Sequence, residues 1–269
     1  MDKAKILKIV KRQEFIVAAF SLLVFIFFSL FSDNFYTPTN LRLILQQYAV
    51  NGICVLGISI VIILNGIDLS AGAILAMAGA VSGTMVKSGV PVILCILAGV
   101  ALGMLFSFIN ALIITKCRVP AIVTTIATNY LFRGLIVAIT GGYWVNQFPK
   151  AFTRIGAGRL FGISNLFWMA MLLLIVMTVF MKYFNTGRKI YAVGTNPQGA
   201  DLSGISSDRI QLIGYTICGA LIGFAGVMYA SSYGAINPSS TGTTLGTTVL
   251  AAALAGGVNF GGKGTLLGG

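Results

Sequence analysis

Apolar residues fall in eight runs along the chain, at about 15–31, 43–64, 69–86, 90–115, 119–140, 166–181, 210–230 and 247–258. The stretches between them are short and polar, and a glycine-rich tail follows the last run. The runs are long and lack the two-residue alternation of a membrane strand, so they predict helices. A bilayer-spanning helix needs about 20 apolar residues, and runs of this size predict a polytopic helical bundle. No small-residue cleavage site follows the first run, so it reads as a retained span rather than a signal peptide.

Composition narrows the class. The chain has 269 residues, 57% hydrophobic and 9% charged, where soluble domains carry roughly 25% charged residues. Disorder and nucleic-acid binding are set aside on this ground, although the net charge is +12. In a membrane protein such a charge reports cytoplasmic loops. The absence of His removes imidazole bases, His-ligated metals and Ser-His-Asp triads. Cys54, Cys95, Cys117 and Cys218 are scattered and imply no disulfide framework.

Counting Lys and Arg in the short loops orients the bundle. The N-terminal twelve residues carry five of them and are assigned to the cytoplasm. Parity then places Lys116–Arg118 and the segment 182–209 inside as well. Arg42, Lys87 and the loop 141–165, with Lys150, Arg154 and Arg159, fall outside. Five G-x-x-x-G pairs predict close helix contacts: Gly79/Gly83, Gly99/Gly103, Gly219/Gly223, Gly257/Gly261 and Gly264/Gly268.

The inside segment 182–209 contains Gly194, Asn196, Pro197, Ala200, Asp201, Ser203 and Gly204. Asn196 suits an N-cap, Pro197 the first helical position and Gly204 a C-terminal cap. A short surface helix follows. It is either a plain connector or a handle through which a soluble motor moves the membrane domain.

Three stretches make this choice. Asn65-Gly66-Ile67-Asp68-Leu69-Ser70-Ala71-Gly72 is similar to G-G-I-D-L-S-V-G. Gly187-Arg188-Lys189-Ile190-Tyr191-Ala192-Val193-Gly194, continuing through Asn196 and Ala200 to Ser203-Gly204-Ile205, is similar to G-R-x-x-Y-A-x-G-x-N-x-x-A-x-x-S-G-I. Residues 252–264 are similar to A-x-x-L-G-G-x-x-x-x-G-G-x-G. Together they resemble the permease subunit of ribose-type ABC importers, from about Asn34 to the last residue. The resemblance implies a type II importer permease fold of ten helices, of which this chain holds about eight in a single domain, 1–269. The family's last two helices are then expected to be missing. The resemblance also implies a bacterial inner-membrane location, a second permease subunit, ATPase subunits docking on the short helix, and a periplasmic binding protein delivering a sugar or sugar-like solute. Where family members often carry acids upstream of Ala251, this chain has Thr243-Thr244-Leu245-Gly246-Thr247-Thr248.

Gly257–Lys263 fits the start of a phosphate-binding loop, but Gly264 stands where Ser or Thr is needed and an apolar run precedes it. ATP is therefore expected on separate subunits, with no cofactor on this chain.

Polar side chains inside spans are costly and mark cavities or helix contacts. Gln46, Gln47, Asn51, Asp68, Asn110, Asn129 and Arg133 are candidates for a translocation path. Asp68 reads equally as an N-cap for a helix starting at Leu69, and Arg133 as a snorkelling side chain. Lys150, Arg154 and Arg159 are candidates for docking the binding protein, against a reading as solvated loop charges. No catalytic group is expected. A secondary transporter or channel driven by an ion gradient is the alternative; it predicts acids at the midplane, and Asp68 is the only acid near a span interior.

Overall fold

The computed structural model describes residues 13–32, 34–262, 264 and 266. The first basic segment, Lys263 and Gly268 lie outside the described residues. In chain order the helices are α1 (Gln13–Phe31), α2 (Pro38–Ile63), α3 (Ala71–Lys87), α4 (Val92–Lys116), α5 (Ala121–Thr140), α6 (Lys150–Ala157), α7 (Asn165–Tyr183), α8 (Asn185–Thr195), α9 (Pro197–Leu202), α10 (Ser207–Tyr233) and α11 (Leu245–Ala255). Four two-residue strands form two antiparallel pairs in the loops: β1 (Val145–Asn146) with β4 (Ala235–Ile236), and β2 (Arg159–Leu160) with β3 (Ile163–Ser164).

Each apolar run is a helix, and among the described residues α2, α4, α5, α7 and α10 are long and apolar enough to cross a membrane. α3 and α11 are shorter apolar helices. At 1.5 Å rise per residue α11 reaches only ~17 Å, against a hydrocarbon core of ~30 Å.

α10 is the central post. Ser206 accepts from Arg209 N to open it, and Gly234 closes it in the left-handed region at φ 70°. α2, α3 and α4 pack around it. The closest crossing joins the two glycine pairs of α4 and α10. A Cβ on Gly103 would strike the Gly219 carbonyl, one on Gly219 would strike the Gly103 carbonyl, and one on Gly223 would strike the Gly99 carbonyl. Gly79 and Gly83 do not serve one partner: Gly79 meets the Gly226 carbonyl and Gly83 the Phe148 ring. Gly257 and Gly261 are not a helix contact at all, because both have positive φ in the turn after α11.

The segment between α2 and α3 is non-helical and mostly buried. Gly66 lies against Tyr215, ~12 Å along α10 from Ser207, while Leu75 lies against Gly226, ~29 Å along it. α3 therefore starts part-way through the bundle. Its first turn meets the segment that leads into α11, where Gly72 faces the Gly242 carbonyl and Gly246 faces the Leu69 carbonyl. Two short helices thus begin at one depth. Non-helical backbone at such a depth is tolerated only where protein or a water-filled cavity satisfies it.

Candidate functional site: a coupling segment and a polar path

Asn196 has extended backbone, and its Oδ1 accepts from Gly199 N at 3.0 Å, with Pro197 opening α9. Gly204 has φ 79°, which ends the turn. The helix is fixed onto α10 at two points. Asp201 Oδ1 accepts from Ser207 N at 2.8 Å, and Ser207 Oγ donates to the Pro197 carbonyl at 3.0 Å. Ala200 is buried against this seat, and Ser203 Oγ turns back to the Gly199 carbonyl. Leu202 points away and is 91% exposed. Sequence reasoning passed over Leu202; its position at the end of a capped polar turn was the available signal.

The base of this segment is tied into the bundle by Asn65. Its backbone is left-handed at φ 62°, a region asparagine tolerates better than most residues. Its Nδ2 donates to the Gly194 carbonyl at 2.8 Å, and its Oδ1 accepts from Gly261 N at 2.6 Å. Gly262 N donates to the Ile63 carbonyl at 3.2 Å, and Gly194 packs directly on that carbonyl. The stretches around residues 65–72, 187–205 and 252–264, dispersed in sequence, therefore meet at one joint. Asn65 is the second residue that sequence reasoning missed. Tyr191 Oη, half-buried in α8, is pushed by burial above the usual phenol range and stays neutral.

A family described as branched-chain amino acid transport system, permease component, matches residues 40–269. The chain belongs to this permease family. The autoinducer 2 import system permease protein LsrC of Photorhabdus luminescens is 31% identical over 264 residues, 97% of this chain and 80% of that protein. The ribose import permease protein RbsC of Escherichia coli K12 is 33% identical over 261 residues, 95% of this chain and 80% of that protein. The LsrC protein of Yersinia enterocolitica serotype O:8 is 32% identical over 254 residues, 94% of this chain and 69% of that protein. No solved structure matches. These relatives are transport permeases and not enzymes.

The permease places its predicted path residues in three different settings. Asp68 and Asn110 are wholly buried and joined through Ser70. Asp68 Oδ1 accepts from Ser70 N at 2.8 Å and Ser70 Oγ at 2.5 Å, and Ser70 Oγ accepts from Asn110 Nδ2 at 2.8 Å. The N-cap of α3 is Ser70 and the helix starts at Ala71. Asp68 thus holds the cap residue through Oδ1 rather than capping α3 itself, while its Oδ2 and Asn110 Oδ1 are buried without a hydrogen-bond partner.

Arg133 is half-buried, and its Nη1 donates to the carbonyls of Pro238 at 3.1 Å and Thr241 at 2.7 Å, while Nη2 is buried without a hydrogen-bond partner. These carbonyls belong to the non-helical segment before α11, which has no helical partners for them. Asn129 lies one turn away on α5, partly buried. Gln46 donates to Ser232 Oγ at 2.5 Å, tying α2 to the end of α10. Asn51 instead lines a cavity of about 260 Å³ with Gln47, Val50, Tyr229, Tyr233 and Leu245.

The basic residues divide by end. Beside α9, Arg118 pairs with Asp208 through both guanidinium nitrogens, at 3.2 and 3.4 Å, with Lys116 at 3.8 Å. At the opposite end Lys150, Arg154 and Arg159 are exposed. Arg159 shares a cavity of about 250 Å³ with Arg42, Gln46 and Ser164. Among the described residues, Lys116–Arg118 and the segment 182–209, which charge counting put on one side of the membrane, thus share one end of the bundle.

Proposed function

We propose that this chain is the membrane-spanning subunit of an ATP-driven importer that carries a sugar or sugar-like solute handed over by a periplasmic binding protein. Residues 1–269 then act as one transmembrane domain in the bacterial inner membrane, with the N-terminus and the α9 end in the cytoplasm. A second permease subunit completes the path. ATPase subunits bind ATP and dock on α9, through Gly194, Asn196, Pro197, Ala200, Asp201, Ser203 and Gly204, with exposed Leu202 as the apolar contact. The exposed basic end, with Lys150, Arg154, Arg159 and Arg42, receives the binding protein, whose acidic groups such charges would steer.

The joint at Asn65 carries this reading. A handle can move a membrane domain only if its base is attached to the helices that must move, and Asn65 attaches α8 both to the end of α2 and to the turn after α11. The names of the relatives, import permeases for ribose and autoinducer 2, support the direction of transport and the solute class. Asp68 Oδ1 is held by Ser70, and no second acid lies near a span interior among the described residues, which counts against a proton- or sodium-driven carrier.

The test is uptake by membrane vesicles containing the whole importer. Uptake that requires ATP and the partner ATPase is the expected result. Uptake indifferent to ATP depletion but abolished by an uncoupler would overturn the reading in favour of a secondary transporter.

A further inference from the structure

Two arginines share one cavity at the Lys150 end of the bundle. Arg42 lies ~6 Å along α2 from Pro38. With Arg159 it lines the cavity of about 250 Å³ that Gln46, Gly162 and Ser164 complete. Among the described residues neither guanidinium has an ion-pair or hydrogen-bond partner. Gln46 and Ser164 are already engaged, with Ser232 and with the Gly156 carbonyl. Two unpaired guanidiniums in one cavity call for an anion, and phosphate suits their forked donors.

An apolar groove lies directly below this cavity. Positions 42, 45, 49, 52 and 56 of α2 follow at spacings of three and four, so they form one stripe down the helix. Below Arg42 the stripe is apolar: Leu45, Ala49, Gly52 and Leu56 line a groove of about 310 Å³ against α7. The facing stripe of α7 repeats the order. Ser164, its N-cap, lines the polar cavity, while Phe167 and Leu174 line the groove. From Leu45 to Leu56 the groove runs ~17 Å, close to the ~15 Å of hydrocarbon in one leaflet. A Cβ on Gly52 would meet nothing within 4 Å, so the groove is open at its middle.

The β2–β3 hairpin marks the depth of the cavity in the bilayer. Arg159 opens this hairpin, and Phe161 near its tip is 87% exposed. The Phe161 ring meets Trp168 edge-on at 6.4 Å, and Trp168 Nε1 donates to the Leu160 carbonyl at 3.2 Å. An exposed aromatic pair that includes an indole belongs at headgroup level.

We propose that α2, α7 and this hairpin hold one anionic phospholipid, with its phosphate between Arg42 and Arg159 and an acyl chain in the groove below. A free anion would use the cavity and leave the groove without purpose. A second copy of this chain is poorly matched to the arginines. Of the acids whose side chains are described, Asp68 is wholly buried in the bundle, and Asp201 and Asp208 lie at the α9 end. Lys150 and Arg154 do not line the cavity and stay available to a binding protein. The site depends on the bilayer around the bundle and not on the importer reading.

The whole importer, purified in mild detergent, is offered equal amounts of phosphatidylglycerol and phosphatidylcholine with the same acyl chains. Native mass spectrometry counts the lipid retained. Phosphatidylglycerol should be retained at least fivefold over phosphatidylcholine. Arg42→Gln with Arg159→Gln should abolish that preference, whereas Lys150→Gln with Arg154→Gln should change it less than twofold. Gly52→Leu, which fills the groove, should cut phosphatidylglycerol retention fivefold or more. Equal retention of the two lipids by the unaltered importer would overturn the proposal without any variant. So would a preference that survives the arginine substitutions. Displacement of the lipid by inorganic phosphate, with Gly52→Leu lacking effect, would make the cavity a free-anion site instead. A disulfide between two permease subunits carrying Gly52→Cys and Cys117→Ser would overturn the proposal in favour of a second copy.

Discussion

The side-chain amide of Asn65 donates to the carbonyl of Gly194 at 2.8 Å, across 129 positions of sequence. Its oxygen simultaneously accepts from Gly261 N at 2.6 Å. One side chain therefore links the end of α2 to the base of the handle and to the turn beyond α11. Asn65→Gly keeps the left-handed backbone and removes both bonds, whose combined contribution is about 1–3 kcal/mol. The expected outcome is an importer that assembles but hydrolyses several times more ATP per solute carried. Parallel measurement of hydrolysis and uptake checks it, and an unchanged ratio counts against transmission through Asn65.

Leu202 offers a cleaner probe of ATPase docking than Asp201. Asp201 caps Ser207 at the start of α10, so its loss disturbs the fold as well as any partner contact. Leu202 is 91% exposed and supports nothing internal. Leu202→Glu should leave thermal unfolding within about 0.5 kcal/mol of the original. It should weaken association with the ATPase by about 1.5–3 kcal/mol, the value of burying a leucine. Co-purification against ATPase concentration measures the loss.

The α4–α10 crossing predicts a contrast between glycines. Gly103→Ala places a methyl group against the Gly219 carbonyl and the Gly223 backbone, which cannot turn away. It should destabilise by about 1–3 kcal/mol. Gly134→Ala on α5 meets nothing within 4 Å and should be neutral or stabilising by about 0.4–1 kcal/mol. Denaturation in mixed micelles distinguishes the two.

Arg133→Met leaves the Pro238 and Thr241 carbonyls without their charged donor. A loss of about 1.5–3 kcal/mol is expected, as for hydrogen bonds to charged groups. Arg118→Ala removes an exposed ion pair with Asp208 and should cost under about 1 kcal/mol, less in high salt. Melting curves at two ionic strengths test both.

Which groups were legible in the sequence follows from the range of the forces involved. The capping of α9 by Asn196 depends on residues within three positions, so spacing alone revealed it. The glycine pairs of α4 and α10 announced close packing, although not that they pack on each other. Asn65 was hidden because its partners are at positions 194 and 261, and nothing local distinguishes it from a turn asparagine.

By itself the sequence determined that the chain is a helical membrane protein, where its apolar helices lie, and which polar segment forms a capped handle. Helix formation in an apolar run and capping are settled by neighbours a few bonds away, and lipid leaves the backbone few alternatives. Only the tertiary structure decided that α3 and α11 are short helices starting inside the bundle. It also decided that Asp68 and Asn110 are wholly buried and joined through Ser70, while Asn51 faces a cavity. A polar residue in an apolar run is costly wherever it goes, and whether a hydrogen-bond partner or an open cavity resolves that cost depends on helices distant in sequence.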